Sequence, residues 1–386
     1  MSDTIIYFDN AATTIVRDEV FSAMTPFLKG EYGNPSSLYK LARESKNAIE
    51  RAREQVAQAI SASPAEIFFT GSGTEANNWA LLANAFPNQL RGNHVISTSI
   101  EHHAVLHSCQ YLEKYGFEVT YLPVDEFGLV SVADFEAAIR PNTILASVMY
   151  ANNEVGTVQP IAEIGKIARA HGIIFHTDAV QAVCSVPVDV GALNVDLLTL
   201  SAHKLHGPKG VGALYINKSM KTPSFIHGGA QERGRRAGTE NVAGIVGLGE
   251  AISLAVSEMD EKTERVQKIR DKIIAGILDK VPNSQLNGHP TKRLPGNANI
   301  SFDFVEGESI LLMLDMKGIA ASSGSACTSG ALNPSHVLMA MGLSHEKAHG
   351  SLRITVGRYN TEEEADKLIE EIVPIIEKLR AMSPLC

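Results

Sequence analysis

Cysteine is scarce in this sequence. Among 386 residues there are four, Cys109, Cys184, Cys327 and Cys386, and no two form a CxxC pair. No cysteine–histidine spacing suits zinc, so neither a zinc site nor a disulfide framework is expected. Basic excess is also missing. Lys and Arg number 34 against 43 Asp and Glu, a formal charge of −9. That leaves no electrostatic footprint for nucleic acid and serves solubility instead. The opening residues MSDTIIYFDN carry no basic segment ahead of an apolar run, and no apolar stretch reaches membrane length. A cytoplasmic protein without membrane association is expected. Internal repeats, low-complexity tracts and Gly/Ser linkers are absent as well. What is present is 44% apolar content over a length that suits two lobes, at about 100–200 residues per domain.

Short apolar runs alternate with amphipathic helical patterns through the middle of the chain. HVISTS (94–99), FEVTYLP (117–123), TILASVMY (143–150), GIIFHTDAV (172–180), VDLLTLS (195–201) and VGALYIN (211–217) read as strands. They are unbroken rather than alternating, which suits a sheet covered on both faces. AVLHSCQYLEKY (104–115) and PIAEIGKIARAHG (160–172) read as helices between them, the second bounded by proline and glycine. Alternating β and α elements predict an α/β fold with a mostly parallel sheet. After about residue 240 the pattern changes. NVAGIVGLGEAISLAVSEMDEKTERVQKIRDKIIAGILDKV reads as one long helix, apolar then charged, with a lobe boundary inside it. NANISFDF (297–304) and SLRITVG (351–357) read as strands and 361–382 as a terminal helix, giving a smaller α+β lobe.

Several strand ends carry chemistry. Lys204 in SAHKLHGPKG follows a buried-looking strand, where desolvation of an ammonium makes a nucleophile able to form a Schiff base; a solvated loop lysine is the plain alternative. Asp178 in HTDAVQ ends a strand at the carboxyl edge, where open α/β sheets bind ligands and where a carboxylate can hold a protonated pyridine nitrogen; the alternative is a helix cap. In FFTGSGTEANN a strand enters Gly71, Ser72, Gly73 and Thr74 and a helix follows, a phosphate-binding arrangement or a tight turn with a threonine cap. It is neither a Walker loop nor GxGxxG. His102 in IEHHAV can stack on a flat cofactor and move protons, with His103 a bystander. Asn152 and Asn153 can donate to a ligand or form a turn. Arg233, Arg235, Arg236 and Thr239 form a cationic, glycine-rich loop suited to phosphate or to an acidic neighbour. Arg353 lies inside a strand and wants an anion, either a ligand carboxylate or a structural partner. Cys109 and Cys184 sit among apolar neighbours and read as small core residues. Cys327 alone is set in a polar stretch, ASSGSACTSG.

These motifs, together with YFDNAATT (7–14), GNPSS (33–37) and SLRITVGR (351–358), resemble the NifS/IscS-like cysteine desulfurases of the class V aminotransferase family over almost the whole chain. The resemblance implies a pyridoxal 5'-phosphate (PLP)-dependent transferase of fold type I, usually a homodimer. Its large PLP-binding domain would span 15–255, and its small domain 1–14 and 256–386, carrying the catalytic cysteine. Carried over by position, Lys204 would tether the cofactor, Asp178 would pair with its ring nitrogen, His102 would stack on it and Gln181 would meet its phenolic oxygen. Gly73, Thr74, Ser201 and His203 would hold the phosphate, with Thr239 reaching it from the other subunit. Asn153 would lie beside ring and substrate, and Asn34 and Arg353 would bind the substrate carboxylate. Gly73 stands where many relatives carry alanine.

The implied reaction removes sulfur from L-cysteine, releases L-alanine and leaves a persulfide on the nucleophile Cys327. Lys204 takes the α-proton, and His102 is one candidate to accept the thiol proton. A sulfur-acceptor protein such as an iron–sulfur cluster scaffold would follow. No resident metal is implied, and transient cluster ligation by Cys327 is compatible with the role. A selenocysteine lyase or a class V aminotransferase shares the Lys204–Asp178 pair; the latter needs no loop thiol.

Overall fold

The computed structural model describes residues 5–323 and 334–383. A seven-stranded sheet runs in the spatial order Ile67–Thr70, Gly212–Ile216, Leu197–Ser201, Ile174–Asp178, Thr143–Ser147, His94–Thr98 and Glu118–Leu122. All neighbouring pairs are parallel except those made by Gly212–Ile216, which runs against both its neighbours. Successive residues feed opposite faces, as the two-residue period of a strand requires. Phe69, Ile96, Leu198 and Leu200 enter one apolar cluster with helices Lys40–Ala59 and Val242–Ser257. Phe68, Val95 and Leu197 enter another with Trp79 and Leu81 of helix Gly73–Asn88 and Leu112 of helix His103–Glu113. Two covered faces explain the unbroken apolar runs. The edge strand Glu118–Leu122 is the most exposed of the sheet, with Glu118 in solvent and Val119–Tyr121 half-buried.

A third cluster lies around the antiparallel strands Ser284–Asn287, Asn297–Phe302 and Ser351–Thr355. Ile269 and Ile273 of helix Met259–Lys280 and Leu368 and Ile372 of helix Glu362–Met382 cover it. The first strand, Ile6–Tyr7, pairs with Ile319–Ala320 and brings Ile6 and Phe8 to this cluster. The segment that follows, from Asp9, therefore leaves the smaller cluster and crosses toward the edge of the large sheet.

One expectation is corrected. The long helix after residue 240 is two, Val242–Ser257 and Met259–Lys280, bent by 74° at Glu258. The Glu258 carboxylate accepts hydrogen bonds from Arg17 and Arg358, which come from opposite ends of the chain and hold the break in place. Cys109 and Cys184 are buried thiols, and desolvation pushes both up to about 12.

Candidate active site

The carboxyl ends of the parallel strands collect the residues singled out above. Strand Leu197–Ser201 runs straight into the turn Ala202–Lys204. Lys204 is not a solvated loop lysine: its Nζ donates to the carbonyls of Ala11 and Ala12, the latter at 2.6 Å. Gln181 Nε2 donates to the same Ala11 carbonyl at 3.0 Å. Thr14 stitches this crossing segment to the turn. Its N–H and hydroxyl both donate to the His203 carbonyl at 3.0 and 2.9 Å, and its hydroxyl oxygen accepts the His206 N–H at 2.9 Å. A cavity of about 100 Å³ adjoins the lysine and is lined from both lobes, by Gln181 and Lys204 on one side and Lys262 and Arg358 on the other.

Asp178 ends strand Ile174–Asp178 and is buried. Its carboxylate accepts Asn77 Nδ2 at 2.6 Å and the Val180 N–H at 3.0 Å, leaving lone pairs for a further donor. His102 caps helix His103–Glu113, its Nδ1 accepting the Ala104 N–H at 3.1 Å, so its ring proton resides on Nε2 when the ring is neutral. Burial pushes the His102 pKa down; the Asp178 charge opposes this and the Lys204 charge adds to it. Both groups thus act on one neutral imidazole.

Helix Gly73–Asn88 begins beside them. Its cap is Ser72, which accepts the Glu75 N–H at 3.1 Å, and not the threonine considered above. Gly73 and Thr74 are the first helical residues, whose N–H groups have no partner within a helix. A Cβ on Gly73 would lie 3.0 Å from Val180 Cγ2 and 3.5 Å from Ser201 Cβ, so this helix start is pressed against the Asp178 and Lys204 strand ends. His203 faces Thr13 Oγ1 at 3.2 Å, and burial, with Lys204 and Lys209 assisting, lowers it to about 4, leaving a neutral ring. In the cationic loop, Arg236 takes the acidic alternative and forms an ion pair with Glu75 at 2.9 Å.

Arg353 satisfies part of the structural reading and keeps capacity for a ligand. Nη2 bonds Asp9 Oδ1 at 2.9 Å and Nη1 reaches the Asn153 carbonyl at 3.3 Å, while Nε is buried with no partner. Of the two asparagines, Asn152 is the turn former: its Oδ1 accepts the N–H groups of Glu154 and Val155 and its Nδ2 donates to the Ile100 carbonyl. Asn34 and Thr239 are exposed, and among the described residues neither is hydrogen-bonded to the residues above. Cys327 lies outside the described residues. Sequence reasoning gave no role to Asn77, Asp9 or the Ala11 and Ala12 carbonyls. Asn77 follows Gly73 by one helical turn, a spacing that could have placed it near Asp178; main-chain carbonyls leave no signature in side-chain identity.

The aminotransferase class-V family model matches residues 6–368. The chain belongs to that family. It is 57% identical over 380 residues to a protein named cysteine desulfurase IscS from Methanosarcina thermophila, covering 98% of this chain and 94% of the relative. A solved structure titled NifS-like protein superposes with a TM-score of 0.92 at 40% identity, covering 97% of this chain and all of the other. Another, titled SspA in complex with cysteine, gives 0.82 at 39% identity over 92% of this chain and all of the other. The α/β architecture with its smaller second lobe is that of these class-V enzymes.

Proposed function

We propose that this protein is a PLP-dependent cysteine desulfurase that takes sulfur from L-cysteine, releases L-alanine and carries the sulfur as a persulfide on Cys327. The observation that carries the reading is the convergence of Lys204, Asp178 and His102 on one sheet edge, in a chain so close to proteins bearing that name.

The residues fit the cofactor. The open helix start at Gly73 and Thr74, with Ser201 beside it, suits a phosphate, and no Cβ intrudes at Gly73. Asp178, already held by two donors, would take the ring N–H. Lys204 would tether the group, His102 would cover its face and Gln181 would meet its phenolic oxygen. Bound there, PLP supplies an electron sink for a carbanion formed at an amino acid's α-carbon.

The chain's own residues do the rest. Arg353, with Asn34 and Asn153, binds the substrate carboxylate through the part of its fork that Asp9 does not occupy. Lys204 Nζ removes and returns the α-proton, and the Ala11 and Ala12 carbonyls hold it in place. His102 has a free pair to accept the thiol proton only by releasing its Nδ1 contact. The Cys327 thiolate attacks the substrate sulfur: an S–S bond forms as the C–S bond breaks, and the carbon takes a proton to become the methyl of alanine.

The acceptor of the persulfide sulfur is a protein, such as an iron–sulfur scaffold, and the enzyme works as a homodimer in which Thr239 serves the site of a second copy. Thr239 is exposed and, among the described residues, makes no hydrogen bond to its own chain's site residues, which supports that arrangement. The test is paired. Cys327→Ala should keep the visible absorbance of bound PLP yet make no alanine from cysteine, and Lys204→Ala should lose that absorbance. Alanine formation at the wild-type rate by Cys327→Ala defeats the nucleophile assignment, and an unchanged Lys204→Ala spectrum defeats the tether.

A further inference from the structure

Glu154 is a buried carboxyl that none of these roles uses. The hydroxyl of Ser335 donates to its Oε2. Ser335 also caps helix His336–Ala340 by accepting the Leu338 N–H at 3.2 Å. Arg353 reaches the residue just before Glu154. Its Nη1 donates to the carbonyl of the preceding residue, Asn153, and its positive charge draws the Glu154 pKa down, as does the Ser335 hydrogen bond. Burial outweighs both and leaves Glu154 at about 7. Ser335 holds this carboxyl directly, while Arg353, anchored on the carbonyl of the neighbouring residue, acts on it by its charge.

The surrounding charges are accounted for. Asp9 is committed to Arg353 at 2.9 Å. Arg293 donates to the carbonyl of Val155 at 3.0 Å, and Asn297 and Asn299 donate to the Glu154 carbonyl, each at 3.2 Å. On the same helix as the cap, His336 Nε2 donates to the carbonyl of Glu101, whose own buried carboxyl faces Thr98 and Met149. The charge acting on the Glu154 carboxyl is that of Arg353.

We propose that Glu154 is a proton-coupled positioning residue, which takes up a proton when an amino-acid carboxylate docks on Arg353. The proposal rests on the reading of Arg353 as the carboxylate site. A docked anion offsets the charge that keeps Glu154 partly ionised, so the proton returns. The Ser335 contact then changes from a charge-assisted hydrogen bond to a neutral one, which is about half as strong. Carboxylate binding is thereby transmitted to the foot of helix His336–Ala340 through a single proton.

The probe is propionate, which has a carboxylate and no amine to react with the cofactor. Titration calorimetry of the holoenzyme in buffers of different ionisation enthalpy, between about pH 6 and 9, reads the protons bound per propionate. Wild-type protein should take up a fraction approaching about one proton near or just above neutrality, falling away at lower pH where Glu154 is already protonated. Glu154→Gln should lack that uptake. Ser335→Ala should keep it with the maximum at higher pH, because the lost hydrogen bond had lowered the pKa. Equal uptake in wild type and Glu154→Gln overturns the proposal, as does an unshifted Ser335→Ala profile should Glu154→Gln not fold. Unchanged propionate affinity in Arg353→Gln overturns instead the Arg353 reading, and the proposal with it.

Discussion

Arg353 and Ser322 hold each other by the backbone: the Arg353 N–H donates to the Ser322 carbonyl at 2.7 Å and the Ser322 N–H donates back at 3.2 Å. The strand residue proposed to bind the substrate carboxylate is thus also the backbone partner of the chain just before Cys327. Main-chain pairing does not depend on the side chain, so the two functions can be separated by mutation.

Arg353→Lys should leave that pairing intact and remove the fork. A single ammonium cannot serve Asp9 and a substrate carboxylate with the geometry of five donors. The expected outcome is a KM for L-cysteine raised by about 10–100-fold, the size of one lost charge-assisted contact of roughly 1.5–3 kcal/mol, with a smaller change in kcat. Steady-state kinetics following alanine check it; a fall in kcat at constant KM would contradict the binding role.

Gly73→Ala sets two local effects against each other. At this first helical position alanine gains less than the about 1 kcal/mol it has over glycine in a helix interior. Its Cβ, however, would meet Val180 Cγ2 at 3.0 Å, and overpacking of that kind is worth roughly 1–3 kcal/mol. Net destabilisation of about 1 kcal/mol is expected. Val180→Ala in the same chain should recover most of it, a coupling that a double-mutant cycle of denaturant midpoints measures directly.

Glu101 makes stability depend on pH. Its Oε1 accepts from Thr98 and Met149, while its Oε2 is buried without a partner, and burial raises the carboxyl to about 8. The folded state therefore favours the protonated form. Its stabilising contribution is complete below the ordinary carboxylate range and is lost as pH rises toward about 8. Glu101→Gln keeps an acceptor for both donors and carries no charge. It should exceed wild type in stability at about pH 8–9 by up to a few kcal/mol, at about 1.4 kcal/mol per pKa unit, with the difference closing near pH 5. Chemical denaturation across that range is the measurement.

Much of this architecture is visible in the residues alone, for reasons that can be named. The strands of the large sheet show because both faces are covered, which leaves apolar runs such as VDLLTLS unbroken. Asp178 and Lys204 stand out as charged residues directly after such runs, where the sequence leaves a ligand partner open beside a plain cap and a solvated lysine. The reversed direction of Gly212–Ile216 does not show, since an apolar run reads the same either way. Nor does the break at Glu258: helix-forming residues continue through it, and the arginines that bind the Glu258 carboxylate lie far away in the sequence. Glu101 and Glu154 are hidden for a related reason, because a carboxylate's burial depends on tertiary packing and not on its neighbours in the chain.

The two buried thiols set a boundary on where sulfur can travel. Exchange between sulfur species begins with a thiolate, and at neutral pH a thiol held at about 12 is ionised in only about one molecule in 10⁵. Cys109 and Cys184 are thus poor exchange partners for the persulfide proposed on Cys327. They would therefore not take up the sulfur that Cys327 is proposed to carry.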